Sequence, residues 1–213
     1  MIVTAVFGYW AYNSNKKRDL RAAVIVILHD VSPRIREALT LEVSLPPMGR
    51  VGTGAQLEQH VAAVDQRLQQ LKRLNGTPDF QLFDAADSYV VTVREILRQQ
   101  AASNRHRLSL SESLEALRSH MQADDRTGAW VQEAVTAKEQ VDKNYREYRV
   151  STEAFSTILG TLTPAQAKIA LYVDASTLSD VQLISETRQR TFDATNLAAA
   201  EIEKIKELAA QQR

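Results

Sequence analysis

The chain contains no cysteine. Disulfides, thiolate nucleophiles and cysteine-held zinc or iron–sulfur centres are excluded at once, and the redox compartment is left open. Glycine and proline are scarce, seven and five in 213 residues. Sheet-rich folds spend those residues in tight turns, so their scarcity favours long helices. Neither sign of charge is in excess, with 26 Lys and Arg against 26 Asp and Glu. A balanced chain exerts no overall pull on a polyanion, and nucleic acid is not an expected partner. The common catalytic signatures are also missing. No Gly-x-Ser-x-Gly, His-Glu-x-x-His, phosphate loop or dinucleotide fingerprint occurs. Of the four histidines, His29, His60, His106 and His120, none has a second histidine or a Glu-x-x-His partner at metal-binding spacing. No catalytic, cofactor-binding or metal-ligating residue is assigned, no cofactor is expected, and the expectation is a protein that is not an enzyme.

What is present is helical periodicity. From Arg126 to Leu159 small or apolar residues recur at Trp130, Ala134, Ala137, Val141, Tyr145, Tyr148, Thr152, Phe155 and Leu159. Steps of three and four make one buried stripe on a helix roughly 50 Å long. Its aromatics fit the stripe, so packing rather than a lined pocket is the expected use. Residues 55–75 carry the cleanest heptad seam, Leu57, Val61, Val64, Leu68 and Leu71. Asn75-Gly76 closes that helix, and Thr77-Pro78 reads as cap and first-turn proline of the next. The next stripe is Phe83, Ala86, Val90, Val93 and Leu97, so 55–75 and 77–102 are expected to form an antiparallel hairpin. Ser103 to Leu108 reads as a polar turn, followed by a short helix lined by Leu114, Leu117 and Met121. After the long helix come a short one, from Pro164 to about Val173, and a last one, from Asp180 to about Gln211. The last seam runs through 181, 184, 188, 191, 195, 198, 202, 205 and 209, weakened by Arg188, Thr191 and Thr195.

The first fifty residues are less regular. Val24 to Leu28 is a β-branched and leucine run that could be helix or strand, with helix preferred for want of a turn signal. Ser32-Pro33 reads as the start of a new helix or a kink in the old one. Leu39 to Leu45 alternates apolar and polar residues, which is strand spacing. Pro46 to Gly54 holds two prolines and three glycines and reads as a linker. Arg34 and Arg36 lie among Asp30, Glu37 and Glu42, a mixed solvated surface rather than an anion site.

The N-terminus has its own order. Residues 1–12 bear no charge and end in Tyr9, Trp10 and Tyr12; Lys16-Lys17-Arg18 follows. Apolar core, aromatic belt and basic anchor is the sequence found where a membrane helix leaves a bilayer. Twelve residues span only about 18 Å of a hydrocarbon core of about 30 Å. Three readings stand: the exit half of a longer membrane helix, a segment dipping into a membrane surface, or the buried first turns of a soluble helix. A signal peptide fits poorly, since no basic region precedes the apolar part. Under the first reading the basic run puts the following residues on the cytoplasmic side.

Leu162-Thr163-Pro164-Ala165-Gln166 resembles the Leu-Thr-x-x-Gln motif of small periplasmic helical chaperones and stress sensors of the Spy kind. The likeness covers five residues, in one copy where those proteins typically carry two, and membership is not assigned on it. It implies a helical fold that binds apolar segments.

These observations predict an all-α protein, an elongated antiparallel helical bundle with coiled-coil-like long helices and an N-terminal membrane-helix remnant. The expected divisions are 1–15 apolar segment, 16–45 N-terminal helical region, 46–54 linker and 55–213 bundle. The expected role is a membrane-tethered scaffold or interaction module, in contact with the membrane through residues 1–18 and with protein partners, or a second copy, through helical faces. The alternative is a soluble or periplasmic helical chaperone or sensor with an apolar groove between helices 55–75, 77–102 and 126–159. Localisation is expected at the cell membrane, single-pass or peripheral, with the cytoplasm as the alternative.

Overall fold

The structure is a computed structural model. It describes residues 2–41, 52–74, 76, 78–122, 128–174, 176, 178 and 181–211, with backbone alone for 2–11, 52, 53, 128 and 209–211. The protein is an all-helical bundle. The described residues form α1 (Ile2–Thr40), α2 (Gly52–Arg73), α3 (Phe80–Met121), α4 (Gly128–Leu159), α5 (Leu162–Ile169) and α6 (Val181–Gln211). The central element is α3, 42 residues and thus about 63 Å long.

Side-chain contacts fix the directions. Ser32 meets Tyr89, and Gln100 meets the Ala38 carbonyl, so α1 runs parallel to α3. Asp30 pairs with Arg67, and Glu37 lies by His60, so α2 runs back against α1. Ser103 contacts Thr152, and Asn144 bonds the Ser109 carbonyl, so α4 runs antiparallel to α3 along its second half. Helix α6 then lies on α4 in the opposite direction, with Lys206 on Asp142.

Two apolar cores result among the described residues. The larger joins α1, α2, the first half of α3, the end of α4, α5 and the start of α6, and its largest enclosed side chains include Tyr89, Phe155, Leu28 and Leu97. The smaller joins Leu110, Leu114, Leu117 and Met121 of α3 with Val141 and Tyr148 of α4 and Ala198, Ile202 and Ile205 of α6. Between them lies a buried polar band of Gln100, Asn104 and Arg107 on α3, Ser151 and Thr152 on α4, and Thr187 and Thr191 on α6.

Several expectations are corrected. The expected turn at Ser103–Leu108 is continuous helix within α3. No glycine or proline interrupts 79–121. Two of the polar residues there, Asn104 and Arg107, are buried in the band between the cores, Arg107 donating to Asn104 Oδ1 at 2.6 Å, while Ser103 lies within 3.2 Å of Thr152 and Arg105 faces solvent. Polarity marked a buried layer and not a solvated turn. Ser32-Pro33 does not start a new helix, because α1 passes through it. Ser32 is buried and bonds Tyr89 Oη at 3.1 Å instead of capping. Pro33 removes only the bond to the carbonyl of His29, and both residues are exposed, so water can take that carbonyl. Val24–Leu28 is helix, as preferred; Leu39 and Thr40 are helical rather than strand, and 42–45 lie outside the described residues.

Boundaries also move. Helix α2 begins at Gly52, inside the expected linker, whose residues 46–51 lie outside the described ones. Helix α3 is capped by Asp79, whose carboxylate accepts from the Leu82 amide at 3.3 Å; Thr77, the expected cap, lies outside the described residues. Helix α5 begins at Leu162, so Thr163 and Pro164 sit in its first turn, and Thr161 at its N-cap makes no side-chain cap bond. On α6 the buried line passes through Thr187 and Ala194 in place of the expected Arg188 and Thr195. The seams of α2 and α4 are where periodicity put them, graded on α4 from half-buried Trp130 to enclosed Leu159.

Candidate functional site

Three places combine chemistry with accessibility. The first is the N-terminal reach of α1. Burial begins at Leu20, which is 6% exposed, and continues through Val24, Ile27, Leu28, Val31 and Ile35. Upstream, Tyr12 and Ser14 to Asp19 are all exposed. Lys16, Lys17 and Arg18 therefore stand on a turn of helix that touches no core, with Lys16 Nζ 4.5 Å from the centre of the Tyr12 ring, a cation–π contact. Helix α1 continues from there to Ile2, through residues without charge. From Ile2 to Asp19 it measures about 27 Å. At the point of departure Arg21 Nη2 donates to the Tyr172 carbonyl at 2.8 Å, and Tyr172 Oη lies 3.5 Å from Gln81 Oε1. Among the described residues, no helix is long and apolar enough to cross a membrane.

The second place is at the opposite end. An open cleft of about 640 Å³ lies between α3 and α6, lined by Arg118, Met121, Glu201, Lys204, Ile205 and Leu208 among others. Arg118 and Glu201 are ion-paired across it. The groove expected between helices 55–75, 77–102 and 126–159 has another character, since Leu57, Val64, Leu68 and Leu71 are packed against Leu82, Ala86, Val90 and Leu97 in one core.

The third is the polar band. Burial pushes the Tyr148 hydroxyl above the usual phenol range, opposed by hydrogen bonds with Thr195 and Thr152 and by the charge of Arg107. Thr187 Oγ1 donates to the Leu39 carbonyl at 3.0 Å, and Arg190 Nη2 to the same oxygen at 2.6 Å. These bonds satisfy the end of α1, where carbonyls have no partner within the helix.

The histidines do not converge. His29 is exposed; His60 is buried 3.5 Å from Glu37; His106 lies 3.5 Å from Glu147; His120 stacks on Trp130 with ring centres 5.1 Å apart. Trp130 Nε1 donates to the His120 carbonyl at 3.0 Å, and the His120 ring meets the Trp130 carbonyl at 2.8 Å, a reciprocal clasp joining the ends of α3 and α4. Arg34 is spent on Asp30, and Arg36 donates to the Leu178 carbonyl at 3.1 Å. Arg34 and Arg67 together hold the Asp30 carboxyl below its usual range. Tyr145, Tyr148 and Phe155 pack within the bundle, Tyr145 half-buried and the other two enclosed. Among the described residues no group of three or more His, Asp or Glu side chains could hold a metal ion.

No protein-family model matches the chain, and neither a curated protein nor a solved structure matches it.

Proposed function

We propose that this protein is a membrane-tethered helical scaffold without catalytic activity, in which α1 is both anchor and structural member. The observation that carries the reading is the division of one helix at Leu20. Below it α1 is core; above it α1 leaves the bundle with an exposed basic collar and then an uncharged, aromatic-tipped segment. Residues 2–12 reach about 16 Å along the helix, roughly half the hydrocarbon core. That is enough for insertion into a leaflet, with Tyr9, Trp10 and Tyr12 near the headgroups and Lys16-Lys17-Arg18 beyond them. Because the anchor is continuous with α1, the bundle is held on a stiff stem rather than a flexible linker. The body suits a scaffold: about 63 Å of α3 clad by partners on both halves.

Expression of residues 1–213 followed by fractionation tests the tether. Recovery in the membrane pellet, released by detergent but not by carbonate wash, is expected. Full recovery in the soluble fraction without detergent would overturn it.

The cleft at the far end favours a second reading, a helical chaperone or sensor. Its apolar lining of Met121, Ile205 and Leu208, rimmed by Arg118, Glu201 and Lys204, could accept an apolar segment with a polar end. Saturable binding of an apolar fluorophore, lost on Met121→Asp, would support that reading over a purely structural one.

A further inference from the structure

The body of the bundle presents a surface at the end from which α1 departs. Among the described residues the two most exposed large apolar side chains are Leu171, 79% exposed, and Phe80, 70% exposed. They lie 91 positions apart in sequence, yet each adjoins one of the two residues that meet at this end, Tyr172 and Gln81. Arg21 fastens the same corner to α1. Nothing about folding requires two apolar side chains to stand in water here, and the coincidence with the departing stem gives them a use.

The charge at this end is not that of the whole chain. The described residues of the collar, the last turn of α2, the first turns of α3 and the α5 region contribute Lys16, Lys17, Arg18, Arg21, Lys72, Arg73 and Lys168. Against these seven stand Asp19, Asp79, Asp84, Asp87 and Asp174, a net of +2 where the chain as a whole is neutral. Two of them are engaged, Asp79 at the α3 N-terminus and Asp174 by the Ser176 amide at 2.9 Å.

We infer that this end face is a second membrane contact, seated on an anionic lipid surface with Phe80 and Leu171 entering the headgroup layer and the basic residues among the lipid phosphates. The inference rests on the tether reading and adds the lipid class and the orientation of the body. Its geometry follows from the stem. From Tyr12 to Leu20 is eight residues, about 12 Å along the helix. The headgroup layer is about 5–7 Å thick on each side. A stem inserted up to Tyr12 thus brings the end face to within several ångströms of the headgroups, well inside the Debye length of about 8 Å at physiological salt. At that range each Lys or Arg is attracted to an anionic leaflet, and the body stands upright with α3 along the membrane normal.

The absence of cysteine allows a direct test on the full chain. Single-cysteine variants L171C, F80C and L197C are labelled with a polarity-sensitive dye and mixed with vesicles of neutral lipid or neutral lipid with 30% phosphatidylserine. Leu197 is 67% exposed on α6, on the other half of the bundle, and is the control. The expected result is a blue shift and quenching by lipid-borne quenchers at 171 and 80, none at 197, on anionic vesicles. Lys72→Gln with Arg73→Gln should weaken anionic binding about thirtyfold, some fivefold per charge, and leave neutral binding unchanged. Flotation with the 171 and 80 labels still in water would overturn the end-face contact and leave the tether standing. No flotation at all would overturn both. A blue shift without vesicles that grows with protein concentration would assign the face to a second copy and overturn the lipid contact.

Discussion

Gln100 donates from Nε2 to the carbonyl oxygen of Ala38 across 2.6 Å. The donor lies in the middle of α3 and the acceptor in the last turn of α1, where the Ala38 carbonyl also accepts from the Leu41 amide at 3.1 Å. Leu39, the next residue, is served by Thr187 and Arg190 of α6. One helix end is thus closed by side chains from two others, at the level where the two cores meet.

Removing that closure should be costly. Gln100→Ala deletes a buried donor, leaves the Ala38 carbonyl without it and opens a void, so a loss of about 2–4 kcal/mol is expected. Thr187→Val keeps the shape and removes only the hydroxyl, with an expected loss of about 1 kcal/mol. Urea unfolding measures both, and a Thr187→Val variant as stable as the parent beside a destabilised Gln100→Ala would show that the band acts through packing alone.

Pro33 is an interior helix proline whose ring faces solvent. Pro33→Ala should restore the amide bond to the His29 carbonyl and stabilise the fold by about 1–3 kcal/mol. Because Pro33 is exposed, no repacking should offset the gain. A thermal midpoint unchanged or lowered would mean that α1 bends at Pro33 to fit the core.

Burial holds the His60 pKa below its ordinary 6.5; the charge of Arg34 acts in the same direction, and Glu37 partly offsets them. The unfolded chain therefore binds this proton more readily than the fold. Stability from His60 is complete above about pH 6.5 and is lost as the pH falls below it. Asp30, held below its ordinary 3.8 by Arg34 and Arg67, loses its contribution only at much lower pH. His60→Leu should thus flatten the decline in urea midpoint between pH 7 and 5. Neither ring nitrogen of His60 has a hydrogen-bond partner, so the variant should be at least as stable as the parent at pH 7. A slope unchanged in His60→Leu would assign the acid sensitivity to other groups.

Much of this fold could be read without coordinates. The seam Leu57, Val64, Leu68 and Leu71, and the α4 stripe through Val141, Tyr148, Phe155 and Leu159, are buried at the spacing expected. Both helices have one partnered face, and there periodicity is a sufficient guide. It failed where polar residues were inside. Ser103 to Leu108 looked like a turn because Asn104 and Arg107 are rarely enclosed, and on α6 Thr187 took the place assigned to Arg188. A hydroxyl that bonds a neighbouring helix end carries no apolar signal. Of the two readings at Pro33 the new helix start failed, since the cost of the proline falls on a solvent-facing carbonyl that the sequence cannot locate. The anchor proposed for α1 rests on the order of its uncharged, aromatic and basic residues, to which the structure adds one continuous helix with Ser14 to Asp19 exposed. The juxtaposition of Phe80 and Leu171 could not be read, because they lie 91 positions apart and their neighbours Tyr172 and Gln81 meet through the fold.

The central claim is that α1 beyond Leu20 anchors the bundle in a bilayer. The measurement that tests it most directly is co-flotation of the purified full chain with anionic vesicles, beside a variant carrying Val3→Asp and Val6→Asp. The parent should float with the vesicles, and the two aspartates, each costing on the order of 1–3 kcal/mol in the leaflet, should reduce the bound fraction at least tenfold. Circular dichroism should show both proteins equally folded, because the changes lie on the stem. A parent that stays in the dense fraction, or a variant that floats as well as the parent, would contradict the account.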